Sequence, residues 1–251
     1  MRQTQKLLIP VLLFIAFVAI AEILIQKQII PAFVLPAPSE VWQTLNEHFA
    51  EYFRATLITL TEALVGLLLS FVVGVSTALL MTSSKNIEAA LHPYALFFQT
   101  VPLISIAPLL VIWFGYGMGT VVISSFIISV FPMITNTLAG LKSTEFALLD
   151  LFRLYGATRL QTLLKLRLPS AVPHIVTGLR ISTGLAMIGA IVGEFIAGGG
   201  LGGLIDSSRS QQRIDKVFAA VLICSLTGIF LVGMINFLVR AFLSRWRELQ
   251  T

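Results

Sequence analysis

Few side chains in this sequence could do covalent chemistry. His48, His92 and His174 stand far apart, and neither HExxH nor any other metal-ligand spacing joins them. They read as loop or interfacial histidines, and no metal site is expected. The lone cysteine, Cys224, excludes an internal disulfide and a cysteine-based zinc cluster. It reads as a small apolar residue in a helix. Gly198-Gly199-Gly200-Leu201-Gly202-Gly203 formally matches GxGxxG, but it follows a long apolar run rather than a strand, with no βαβ pattern around it. No glycine-rich loop runs directly into Lys-Ser or Lys-Thr, so the chain lacks the P-loop route to ATP hydrolysis. No nucleophile–base pair is visible in the apolar runs, and an enzyme is not expected.

The charges inside those runs are the next candidates. They are Glu22, Glu62, Arg180 and Glu194. A charge at membrane depth costs about 2.5–3.5 kcal/mol or more unless it is paired or solvated. Arg180 has two readings, an ion pair inside a helix bundle or a residue lining a pathway, and Glu62 could be its partner. Arg180 and Glu194 are 14 residues apart, roughly 21 Å along a helix, too far to pair within it. Glu194 is instead expected to bond the glycine-rich segment that follows. Glu22 lies near an interface and could reach water.

The elements that must position these residues are membrane helices. Of 251 residues, 57% are hydrophobic and only 12% charged, against about 25% charged in soluble chains. The mean hydropathy is +0.92. Composition thus disfavours a soluble enzyme, a disordered chain or a nucleic-acid binder, despite the net charge of +5. Six apolar stretches are long enough to span a bilayer: Leu7 to Ile25, Leu57 to Met81, Tyr94 to Phe114, Val121 to Leu141, Val172 to Ala197 and Val217 to Leu243. Pro31, Pro36 and Pro38 end the first and open an extended segment. Gly115-Tyr116-Gly117-Met118-Gly119 is a tight turn, and Gly198 to Lys216 a glycine-rich start followed by a charged loop. No internal repeat is visible.

The positive-inside rule sets the orientation. With the N-terminus inside, Arg2, Lys6, Lys85, Lys142, Arg153, Arg159, Lys165, Arg167, Arg240, Arg245 and Arg247 are cytoplasmic. Lys27, Arg54, Arg209, Arg213 and Lys216 lie outside. Eleven against five puts both termini in the cytoplasm. Ala19-Ile20-Ala21 resembles a signal-peptidase site, but apolar residues continue through Ile25, which favours an uncleaved first helix.

The segment between the fourth and fifth stretches is too polar to span. Its apolar residues recur at helical spacing, Leu148, Leu151, Phe152 and Tyr155, then Leu160, Leu163 and Leu164. That pattern predicts two short amphipathic helices around Gly156-Ala157. Thr158 could cap the second, and Pro169 sits where the fifth stretch begins. Such helices could lie on the membrane or dock a cytoplasmic partner.

Asp150 through Pro169 resembles the EAA loop of binding-protein-dependent ABC importer permeases. Gly156 and Pro169 are in register, with Leu166 and Leu168 before the proline. Asp150 stands for the glutamate, and Leu151 and Phe152 for the alanines. The rest of the chain is similar to the nitrate/sulfonate/taurine-type branch. The matching residues are Leu35-Pro-Ala-Pro-Ser39, Val101-Pro102 through Pro108, Trp113-Phe-Gly115-Tyr-Gly117, Phe131-Pro132, Asn136-Thr137, Gly140-Leu141, Gly178-Leu-Arg180 and Glu194 with Gly200-Leu-Gly202.

The resemblance implies an all-α polytopic membrane protein of the type I ABC importer kind, with six transmembrane helices. It implies one permease domain over 1–251, with a first span and external segment in 1–53 and a five-helix core in 54–243. Cytoplasmic coupling helices would lie between spans four and five. Asp150, Arg153, Gly156, Ala157, Thr158, Arg159, Leu168 and Pro169 would dock an ATPase dimer, which binds ATP and magnesium; this chain would bind no cofactor. A second permease chain and an extracytoplasmic binding protein complete the set, in the inner membrane.

Prolines that interrupt a span are tolerated where it lines a cavity. Pro102, Pro108, Arg180, Gly184 and Met187 are therefore the pathway candidates, and Glu62 and Glu194 the candidate structural or gating charges. The substrate would be a small solute such as nitrate, a sulfonate, taurine, bicarbonate or a vitamin precursor of the thiamine-pyrimidine or riboflavin type. The alternative is an ion-coupled secondary transporter, which would leave the amphipathic loop unexplained.

Overall fold

The computed structural model describes residues 2–31 and 34–248, without the side chains at 2–8, 10, 11, 14 and 242–248. Of the orientation residues, Arg2, Lys6, Arg245 and Arg247 therefore lie outside the described side chains. The elements are helices α1 (Arg2–Gln26), α2 (Pro38–Glu47), α3 (Phe49–Ser83), α4 (Lys85–Thr100), α5 (Leu103–Phe114), α6 (Met118–Lys142), α7 (Phe146–Leu154), α8 (Arg159–Thr162), α9 (Leu168–Ala197), α10 (Gly200–Ser210) and α11 (Ile214–Glu248). A π-helical turn, Leu163–Arg167, joins α8 to α9. Among the described residues, four helical runs are long and apolar enough to cross a membrane, five if the bent pair α4–α5 is one span. The expected first stretch falls in α1, whose described apolar part is Ile15–Gln26.

The third span, Tyr94 to Phe114, is expected to kink or break at Pro102 and Pro108, and it breaks at Pro102. The chain bends by 102° between α4 and α5. Pro102 lacks an N–H and forces Val101 into an extended conformation, φ −63° and ψ 119°. The helix restarts with the Ser105 N–H donating to the Pro102 carbonyl at 2.9 Å. Pro108, inside α5, does not break it.

Two segments are corrected. After Pro36 the chain is helical rather than extended. Pro38 opens α2 at a position where its missing N–H costs nothing. The Glu40 carboxylate accepts the Ala37 N–H at 3.1 Å, and Glu22 on α1 accepts the Ser39 N–H and hydroxyl at 3.1 and 2.7 Å. Carboxylates thus answer the unpaired N–H groups of α2. The Gly198–Lys216 segment, expected as a loop, contains α10. Gly198, Gly199 and Gly200, at φ +77°, +89° and +49°, reverse the chain before it.

The centre of the bundle is α3, α6 and α9. Small residues let these backbones nearly touch. A Cβ on Gly189 would lie 2.7 Å from the Ser125 Cα and 2.8 Å from the Ser124 carbonyl oxygen, and one on Gly193 would lie 2.9 Å from the Val121 Cα. The Gly189–Gly193 pair and the Ser70, Gly74, Ala78 stripe thus serve packing within one chain. Buried hydroxyls cross-link the three helices. Ser70 and Ser129 share a hydrogen bond of 2.6 Å, Ser182 donates to the Ser129 carbonyl at 2.7 Å, and Ser125 to the Ala186 carbonyl at 2.9 Å. Each such bond is worth about 0.6 kcal/mol in a membrane protein. Against this centre pack apolar groups such as Met81, Val130, Leu141 and Ala171. α1 touches the rest chiefly through α2.

Candidate functional site

The loop joining α6 to α9 is built as two capped helices. α7 ends at Tyr155, and Gly156 then takes φ +66°, the left-handed turn that glycine adopts freely. The Gly156 N–H donates to the Arg153 carbonyl at 3.0 Å and the Ala157 N–H to the Phe152 carbonyl at 2.9 Å, which satisfies the last carbonyls of α7. Thr158 then caps α8. Its hydroxyl accepts the Gln161 N–H at 3.2 Å, and its own N–H donates to Gln161 Oε1 at 2.8 Å. Thr158→Ala is expected to weaken this turn by about 1 kcal/mol. Faster amide hydrogen exchange at residues 159–161, with the rest of the chain unchanged, would show it.

This loop presents apolar groups that none of the other described residues covers. Phe146 and Leu154 are each 85% exposed and Tyr155 83%. Leu148, Leu151, Leu160 and Leu164 are exposed as well. Asp150 pairs with Arg153 at 3.0 Å, but both are open to solvent, so the pair orients two side chains more than it stabilises the helix. A Cβ on Gly156 would meet nothing within 4 Å, so this glycine serves the turn and leaves the surface open. Arg153, Ala157 and Arg159 line one wall of a cleft of about 590 Å³ against Leu79, Thr82 and Ser83 at the end of α3. Leu168 and Pro169 are half-buried where α9 starts. The loop therefore brings its expected residues onto one end of the bundle. Lys142 bonds Glu88 there, tying α6 to α4.

The pathway candidates do not gather at one point within the chain. Pro102 marks the α4–α5 bend and is exposed, as are Pro108 and Arg180. Gly184 has open space where a Cβ would project. Met187 is only 4% exposed, in a cluster with Ala63, Val121, Ala190 and Leu231. Arg180 does not pair with Glu62. Glu62, 4% exposed, meets Glu194 instead. As expected, Glu194 holds the glycine-rich segment, its Oε2 accepting the Gly202 N–H at 2.8 Å.

At the same end the Gly117 N–H donates to the Ala197 carbonyl at 3.1 Å, so the Trp113–Gly117 turn closes on the end of α9. Thr44 donates to Asp215 at 2.9 Å, fastening α2 to α11. Two hydrogen bonds from Arg213 reach the same Asp215 carboxylate at 3.0 and 2.8 Å, and they hold the guanidinium pKa above its ordinary value. The chain-reversing turn before α10 and the role of Asp215 were missed from the sequence, where only the three consecutive glycines signalled the turn. Among the described residues no group of three or more His, Cys, Asp or Glu side chains could hold a metal ion.

The fold matches solved transporters. It superposes on an inward-facing MetNI methionine ABC transporter structure with a TM-score of 0.65, at 18% identity, covering 76% of this chain and 95% of that one. A protein of Haemophilus influenzae named a probable ABC transporter permease protein is 37% identical, over 95% of this chain and 98% of its own length. The formylaminopyrimidine transport permease protein ThiX of Halalkalibacterium halodurans is 36% identical over the whole of both chains. Other relatives are named for riboflavin, aliphatic sulfonate, taurine and bicarbonate transport. Residues 66–248 match the family described as binding-protein-dependent transport system inner membrane component. With the capped, uncovered loop and the type I fold, this chain belongs to that family, the permease subunits of ABC importers.

Proposed function

We propose that the chain forms the substrate pathway of an ATP-driven importer and docks a separate ATPase dimer through residues 150–169. The observation that carries this is the exposed apolar surface of α7 and α8, held rigid by the Gly156 turn and the Thr158 cap. In water such a surface is a partner's seat. ATP and magnesium belong to the partner. ATP binding there would favour one arrangement of the helices over the other, since a ligand moves an equilibrium only by its differential affinity.

Two copies of the chain would face each other across the pathway, with Pro102, Pro108, Arg180 and Gly184 nearest to it and Met187 packed inside each copy. An extracytoplasmic binding protein would deliver substrate to the end that carries α2 and α10. Six spans with α1 as the first, a single domain over 1–251 and cytoplasmic termini in the inner membrane complete the reading. The substrate would be a small solute, a reading that the relatives' names support. The formylaminopyrimidine permease, similar over the whole of both chains, supports a pyrimidine-type vitamin precursor.

The test is reconstitution of the chain in proteoliposomes with its candidate ATPase and binding protein. Uptake is expected only with ATP and all three components. Gly156→Val and Asp150→Lys are expected to cut binding-protein-stimulated ATP hydrolysis at least tenfold. Uptake by this chain alone, driven by an ion gradient, would instead establish a secondary transporter.

A further inference from the structure

The carboxyl pair at the α10 end has no part in the docking or pathway reading. Glu62 on α3 is 4% exposed and Glu194 on α9 is fully buried. The two carboxyls meet at hydrogen-bonding distance between the helices. Glu194 Oε2 is occupied by the Gly202 N–H. Beside it the Thr59 hydroxyl accepts the Leu201 N–H at 2.9 Å. Among the described residues Glu62 Oε2 and Glu194 Oε1 are buried without a hydrogen-bond donor, the Thr59 hydroxyl being donated to the Ala55 carbonyl at 3.1 Å. Ionised carboxylates only accept hydrogen bonds, and two such charges side by side in a low-dielectric interior repel strongly. A positive charge must lie between them.

Among the described residues the surrounding elements do not supply one. From α11 the facing titratable group is the Cys224 thiol. Glu51 and Arg54, at the start of α3, are exposed. On α10, Arg209 and Asp206 pair with each other at 2.8 Å. From α6 the Ser124 hydroxyl lies against Gly193 and is bonded to the Thr120 carbonyl at 2.8 Å. Among the described residues no third His, Cys, Asp or Glu side chain joins the pair to make a metal site, and backbone crowds it. A Cβ on Gly200 would fall 1.8 Å from Glu194 Oε1 and 2.6 Å from Thr59 Oγ1, so the glycine backbone lies directly on the carboxyl. The proton is the cation small enough to fit.

We propose that Glu62 and Glu194 share one proton, as a buried acid–carboxylate pair that fastens α3 to α9. Through Gly202 the same pair holds the N-terminus of α10. The shared proton lets one carboxyl donate to the other. The oxygen that remains charged is the one answered by the Gly202 N–H at a helix start, where negative charge is favoured.

Infrared difference spectroscopy of the full chain in lipid vesicles at neutral pH tests this. The wild type is expected to show a protonated-carboxyl C=O stretch that shifts in D2O. E62Q and E194Q are each expected to lose it, because the new amide donates the hydrogen bond and leaves the remaining carboxyl ionised. E62Q is expected to melt close to the wild type and E62L clearly lower, since leucine cannot donate to Glu194. Absence of the band in folded wild-type protein overturns the proposal, and so does a band that survives in both glutamine variants. Melting that depends on sodium or potassium concentration at constant ionic strength overturns it in favour of a metal cation. If E194Q fails to fold, the wild-type and E62Q spectra still decide.

Discussion

Replacing Leu154 and Tyr155 together by alanine is expected to abolish ATPase association while leaving the permease folded. Both side chains are more than four-fifths exposed at the end of α7, so their removal takes little from the chain's own packing. The expected change in melting of the isolated chain is within about 0.5 kcal/mol. At an interface the same groups would be anchors. Truncating an aromatic or large aliphatic anchor costs about 2 kcal/mol or more, roughly thirtyfold in affinity for each such loss. Co-purification of the double variant with the ATPase, beside a melting curve of the permease alone, separates the two effects. An unchanged complex would show that the partner sits elsewhere.

Gly189→Val is expected to prevent stable folding. The added Cβ would meet backbone, the Ser125 Cα at 2.7 Å and the Ser124 carbonyl at 2.8 Å, and backbone cannot turn aside as a flexible side chain can. Overpacking in a close-packed interior costs about 1–3 kcal/mol when side chains can adjust, so at least the upper end of that range applies here. Gly233→Ala in α11 is the control. A Cβ there meets nothing within 4 Å, and alanine is favoured over glycine in a helix by up to about 1 kcal/mol. The first variant should aggregate or melt far below the wild type in detergent, and the second should melt at or slightly above it. Equal melting of the two would mean that α6 and α9 are not in backbone contact at Gly189.

Much of this molecule is local and was readable one stretch at a time. The apolar runs forecast α3, α6, α9 and α11, because hydropathy over about 20 residues is a direct measure of fitness for a bilayer. The amphipathic spacing around Gly156-Ala157 forecast α7 and α8, and Thr158 forecast its own cap. The break at Pro102 was foreseen as a kink, but its size of 102° was not, since a proline states where a helix can stop and not where the chain goes next. The helical starts at Pro38 and Gly200 were missed because their N–H groups are satisfied from outside the local segment. Glu22 serves α2 from α1, and Thr59 serves α10 from α3.

What the sequence determined alone was the membrane setting, the absence of a P-loop and the capped amphipathic loop, all of which depend on near neighbours along the chain. The tertiary structure decided which polar groups meet. It put Glu62 against Glu194 rather than Arg180, and it turned the Gly189–Gly193 face inward onto Ser124 and Ser125. The reason is physical. In a membrane helix the face toward lipid and the face toward the bundle are both apolar, so hydropathy does not record the helix's rotation. Close packing of small residues and the pairing of buried polar groups set it.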